Sequence, residues 1–223
     1  VGLYLLLIGV ALPMMGFAGG WQDRLKLVAA IAAAAQMAAL VATGDFSLLN
    51  WGLFGLISLA MLGLASREAP LERLPPVGLV IVLLLLGAWP DPVMWQFALV
   101  AGAAALIYGV PALLRLWGAK GGLVEAGQLA AITIGNLFIP MFHFYRADGP
   151  TDLEFGLLAL GLSALAAASA ALGWRHADRG GDARFAILAT SSALLLAAAA
   201  TLLLPGWAVG GAIAAVGLAL LHV

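Results

Sequence analysis

Apolar runs of about 20 residues follow one another along this chain, separated by short polar stretches. Nine can be marked out, at about 2–18, 25–43, 49–65, 75–89, 93–117, 122–145, 153–174, 184–204 and 206–223. Most are long enough to cross a ~30 Å hydrocarbon core. In such a medium each segment must satisfy its own backbone N–H and C=O groups. Barrel strands would show short alternating segments, which are absent, so the runs predict helices. The expected fold is all-α: a polytopic transmembrane helix bundle of about nine spans arranged as sequential hairpins, forming one domain over residues 1–223. The fourth run is about fifteen residues at ~1.5 Å each, which predicts a shallow span or a locally thinned bilayer.

The polar breaks carry a regular charge pattern. Arg24 and Lys26 follow the first run, Arg67 and Arg73 the third, Arg115 and Lys120 the fifth, and Arg175, Arg179 and Arg184 the seventh. Of the ten basic residues only Arg146 falls on the other side. The positive-inside rule makes the basic face cytoplasmic and puts the N-terminus of this segment outside. The opposite turns, TGDFSLLN, WPDPV and LPGW, are short, and their Pro and Gly end one helix before the next begins. Trp21, Trp51, Trp89, Trp95, Trp117, Trp174 and Trp207 all fall at or near run ends, as an interfacial belt requires. Hairpin units begin near residues 2, 49, 93 and 153 without a repeated motif. That spacing fits either short loops between antiparallel helices or a transporter's pseudo-symmetry.

Composition strengthens the membrane reading. Hydrophobic residues make up 64 % of the chain and charged residues 9 %, with a mean hydropathy of +1.10. A water-facing domain carries roughly 25 % charged residues. The expected partners are the lipid bilayer and other membrane subunits or further helices of the same chain, with no nucleic acid. The absence of cysteine excludes disulfides, thiolate metal sites and Cys nucleophiles. No basic n-region precedes the first run, as a signal peptide would need. A first residue Val and a final LALLHV suggest a segment of a longer chain.

Lipid tails are as apolar as leucine, so close packing at small residues is expected to hold such helices together. Gly2, Gly9 and Gly16 recur every seven residues, as do Gly102 and Gly109, and Gly210 and Gly217; Gly206 and Gly210 add a GxxxG. Pro13 and Pro111 lie within runs, where each removes a backbone donor.

Candidate chemistry is sparse. Asp45, Asp91, Asp148 and Asp152 lie in turns, while Glu68, Glu72, Asp178 and Asp182 sit among basic loop residues. Glu154 falls in a first helical turn, facing the positive end of the helix dipole. The sixth run stands apart, ending in ITIGNLFIPMFHFYR. At about 100° per residue, Glu125, Asn136 and His143 share one stripe, with Gln128 about 60° to the side and Thr133 nearer the centre. Two readings remain open. Glu125, Gln128, Asn136 and His143 line a substrate path, or the amides bridge to neighbouring helices while His143 reaches the headgroups beside Tyr145 and Arg146. Gln36, Gln96 and Tyr108 are isolated polar positions, and Thr190, Ser191 and Ser192 are hydroxyls able to bond back to their own helix. His176 in RHADRGGDAR, with Asp178 and Asp182 amid three arginines, makes a poor cation site. No HExxH, phosphate-cradling or GxSxG motif occurs. No catalytic residue, cofactor or metal ligand is therefore assigned.

The segment LGWRHADRGGDARFAILATSSALLLAAAATLLLPGWAVGGAIAAVGLAL resembles a family of very long bacterial membrane proteins, the domain-of-unknown-function 2339 family. SREAPLERLPPVGLVIVLLLLGAWPDPVMWQFALVAGAAALIYG is similar to an earlier part of the same hairpin pattern. The resemblance spans roughly residues 60–223 and rests on rhythm and composition. It implies a many-helix protein of the bacterial inner membrane and cell envelope, of which this chain would be one segment, and supplies no catalytic residue. Three functions follow as expectations. The first is a non-enzymatic scaffold or partner-binding segment. The second is a transporter or channel for a small molecule or lipid, using the polar stripe. The third is the membrane part of an envelope lipid- or glycan-modifying enzyme, to which only the turn RADGPTD is polar enough to contribute.

Overall fold

The computed structural model describes residues 23–67, 74–118, 121–145, 151–174 and 181–221. Among them every regular element is helical: α1 (Asp23–Thr43), α2 (Leu48–Ala65), α3 (Leu74–Ala88), α4 (Met94–Ala104), a π-turn (Ala105–Gly109), α5 (Val110–Leu116), α6 (Leu123–Phe144), α7 (Asp152–Ala171), α8 (Ala183–Leu203) and α9 (Gly206–Leu221). The π-turn joins α4 to α5, so eight of the nine predicted runs appear as helices, with ends within three residues of expectation. The first run, 2–18, lies outside the described residues.

Five helices are long and apolar enough to cross a membrane: Leu48–Ala65, Met94–Leu116, Leu123–Phe144, Asp152–Ala171 and Ala183–Leu203. Three apolar stretches are shorter, at Ile31–Thr43, Leu74–Ala88 and Gly206–Leu220. The first of these is clipped because Asp23, Arg24 and Lys26 occupy the opening turn of α1.

Local chemistry explains the helix ends. The Ser47 hydroxyl accepts from Asn50 N at 3.4 Å and opens α2. Pro75 and Pro76 occupy the first turn of α3, where a missing N–H costs little. Glu125 reaches back to Gly122 N at 2.8 Å, and Glu154 accepts from both the amide and the hydroxyl of Thr151. Pro111 has no N–H to give Ile107 C=O, and the helix widens to a π-turn just before it.

Where the sequence suggested one domain, the chain divides into two compact units, Val1–Tyr108 and Gly109–Val223. In the first, α2 and α3 pack on α1 and on α4. Met37, Val41, Leu79 and Val82 are almost wholly enclosed. An aromatic cluster closes one end: Phe46 stacks on Trp89 at 5.8 Å, and Trp51 meets Trp89 at 5.4 Å. Phe46 holds a left-handed backbone (φ 52°), unusual for an aromatic residue, and its burial in this stack offsets the strain. Trp51 and Trp89 are thus core residues, whereas Trp95, Trp174 and Trp207 are exposed. The expected tryptophan belt is split between lipid-type exposure and core packing.

In the second unit α7 and α8 run antiparallel. Ala170 clusters with Phe185 and Leu188 at one end, and Phe155 and Ala159 with Leu195 and Ala199 at the other. α6 contributes Ala126 and Leu129 to the first cluster and Leu137 to the second. The glycines that admit close contact differ from the seven-residue sets. A β-carbon on Gly156 would lie 2.4 Å from Leu203 Cγ, and one on Gly173 2.2 Å from the Trp117 ring. Gly109 does face a neighbour, with Ile132 Cδ1 at 3.3 Å, but Gly102, Gly206, Gly210 and Gly217 face open space.

Candidate functional site

The stripe on α6 forms on one continuous helix, and its members are occupied in different ways. Glu125 is half-buried and caps its own helix through Gly122 N. Gln128 is buried. Asn136 Nδ2 donates to Ile132 O at 2.9 Å, within the same helix. Pro140, four residues on, cannot donate to Asn136 C=O, so this amide sits where the helix ladder is already interrupted. Thr133 is enclosed and donates to Leu129 O and Ala130 O at 3.0 and 3.1 Å. His143 lies between Phe142 and Phe144, with ring centroids at 5.2 and 6.0 Å. Beyond the helix end, Tyr145 donates to Asp152 Oδ1. That hydrogen bond, followed by the carboxylate's charge, raises the phenol pKa above its ordinary value near 10. Arg146, Asp148 and His176 lie outside the described residues, and among those described no three His, Asp or Glu side chains gather as a metal site.

Elsewhere in the second unit, polar groups join helices. Ser163 on α7 donates to Ser192 O at 2.9 Å, and Ser192 Oγ donates back to Ser163 O at 3.0 Å. Trp117 Nε1 donates to Ser169 O at 2.8 Å. Ser191 and Ser169 bond back to Ile187 O and Leu165 O on their own helices. Arg184 is held by Asp182 at 2.6 Å, donates to Leu116 O and Gly121 O at 2.9 and 3.3 Å, and lies 4.8 Å over the Trp117 ring. Expected as a loop charge, it instead satisfies carbonyls left over at the end of α5.

The first unit holds a different feature. Tyr108, in the π-turn, donates its phenol O–H to Ser58 Oγ at 2.9 Å, linking residues fifty apart. A β-carbon on Gly78 of α3 would lie 2.6 Å from the Tyr108 hydroxyl, so glycine there clears its path. On one side of the pair lies a cavity of about 40 Å³ against Met37, Leu74 and Pro75. On the other a cleft of about 290 Å³ runs between α2 and α4, lined by Trp51, Gly55, Leu59, Leu99, Ala103 and Ile107. Ser58 is the sole hydroxyl residue of α2, and that isolation was the signal that could have marked it. Ser163 gave no such signal, because its meaning depends on a partner 29 residues away.

No family model, curated protein or solved structure matches this chain.

Proposed function

We propose that this chain is a non-enzymatic, multi-pass segment of a bacterial inner-membrane protein, serving as a scaffold or partner-binding part of the cell envelope. Its described helices, with the run at 2–18, make about nine crossings in sequential hairpins, the basic loops in the cytoplasm and the segment's N-terminus outside. The hairpin rhythm shared with the domain-of-unknown-function 2339 family is part of this reading. The observation that carries it is where the polar side chains of the second unit go: Thr133, Asn136, Ser163, Ser169, Ser191 and Ser192 all hydrogen-bond within or between helices. Such bonds fix helices together in a medium that gives them no hydrophobic reason to associate.

The transport reading is separated by one experiment. Proteoliposomes carrying the chain should show no solute-dependent uptake above empty liposomes, and Asn136→Leu with His143→Leu should leave expression and assembly intact. Uptake abolished by that double variant would replace the scaffold by a path along α6. Because the chain has no cysteine, single introduced ones report topology cleanly. Asp91→Cys should react with an impermeant maleimide on intact spheroplasts, and Ser66→Cys only after permeabilisation.

A further inference from the structure

The cleft between α2 and α4 is too large and too apolar to be mere loose packing. Protein interiors rarely hold voids beyond a water molecule. An apolar cavity of ~150 Å³ stays dry and takes up benzene, and this one is about 290 Å³. It exists because Gly52 and Gly55 present no side chain: a β-carbon on Gly52 would meet nothing within 4 Å, and one on Gly55 only Ile107 Cδ1 at 3.7 Å. Leu56, Leu59 and Leu99 beside it are all more than half exposed and apolar, so hydrocarbon is the medium that reaches it.

One polar feature breaks the lining. Ser58 is enclosed, accepts from Tyr108, and its own proton finds no acceptor among the described residues. Thr133, Ser169 and Ser191 instead turn their hydroxyls back onto their own helices. An enclosed donor without an acceptor costs roughly 1–3 kcal/mol, so the cleft is built for an oxygen at this point. Its depth narrows the ligand. Ser58 lies ten residues into α2, about 15 Å along the axis and thus near the middle of a ~30 Å core. A phospholipid's ester oxygens stay at the interface with its charged head.

We propose that this cleft binds a neutral, membrane-dissolved lipid whose hydroxyl or carbonyl oxygen accepts from Ser58 at mid-membrane, completing a chain from the Tyr108 phenol through Ser58 to the ligand. The test uses the full chain in nanodiscs and two diazirine probes, a photoactivatable hexadecanol and a photoactivatable phosphatidylcholine. Hexadecanol should label 52–59 and 99–108 saturably, competed by unlabelled hexadecanol, whereas the phospholipid should label exposed faces without saturation. Ser58→Ala should weaken hexadecanol labelling roughly three- to ten-fold, the worth of one hydrogen bond. Gly55→Leu should abolish it by filling the cleft, and Ala103→Leu does the same from α4 if the first variant fails to assemble. Equal, non-saturable labelling by both probes, or labelling indifferent to Ser58→Ala and to the filling variants, overturns the proposal.

Discussion

At the scale of single residues, Arg184 and Tyr145 show how side chains at the membrane border are engaged. Arg184 makes a two-pronged contact with Asp182 while another nitrogen reaches Leu116 O. Lysine has one compact charge and no planar fork. Arg184→Lys is therefore expected to lower the thermal midpoint in detergent nearly as far as Arg184→Gln, although it keeps the charge. Recovery of the wild-type midpoint by lysine would mean that charge alone matters there. For Tyr145 the sign follows from the raised phenol pKa. The bond to Asp152 is fully present below the ordinary tyrosine range near ~10 and is lost as pH rises through the raised value. In an absorbance titration Tyr145 should ionise later than free tyrosine, and Asp152→Asn should bring it back.

At the scale of elements, the α7–α8 pair depends on a close approach at Gly156. A side chain there must displace Leu203, whose Cγ is only 2.4 Å from the β-carbon position. Gly156→Val should destabilise the pair by about 1–3 kcal/mol, the usual cost of overpacking, read as a drop in denaturation midpoint. Gly210→Val, on an open face of α9, should leave it unchanged. This contrast shows what the sequence could and could not disclose. Helix limits were legible because an apolar run ends where Pro, Gly or a charge begins: Ser47, Pro75 and Thr151 mark their helix starts in the sequence itself. The packing glycines were not legible, because a period of seven registers spacing on one helix and says nothing of what the neighbour presents. Gly156 belongs to no repeat, yet it meets Leu203; Gly210 and Gly217 repeat cleanly and meet nothing.

At the scale of the whole chain, an apolar pattern identified the class, and five helices do reach the length and composition of membrane crossings. The polar stripe of α6 was legible as geometry, since Glu125, Asn136 and His143 share one helix. Its hydrogen bonding was not, because Asn136 turns to Ile132 O, a choice set by local rotamers and the broken ladder at Pro140. The Ser58–Tyr108 pair was invisible for a different reason, being a contact between helices created by the π-turn. That turn has a consequence of its own. A π-turn is an α-helix carrying one surplus residue, so it behaves as a built-in frameshift of side-chain direction. Deleting Leu106, which points outward, should let the backbone close into regular α-helix and rotate all later positions by about 100°. Tyr108 would then swing off Ser58 with no change in composition or hydropathy. A protein one residue shorter that still inserts but loses saturable hexadecanol labelling would show that length, rather than chemistry, sets this contact.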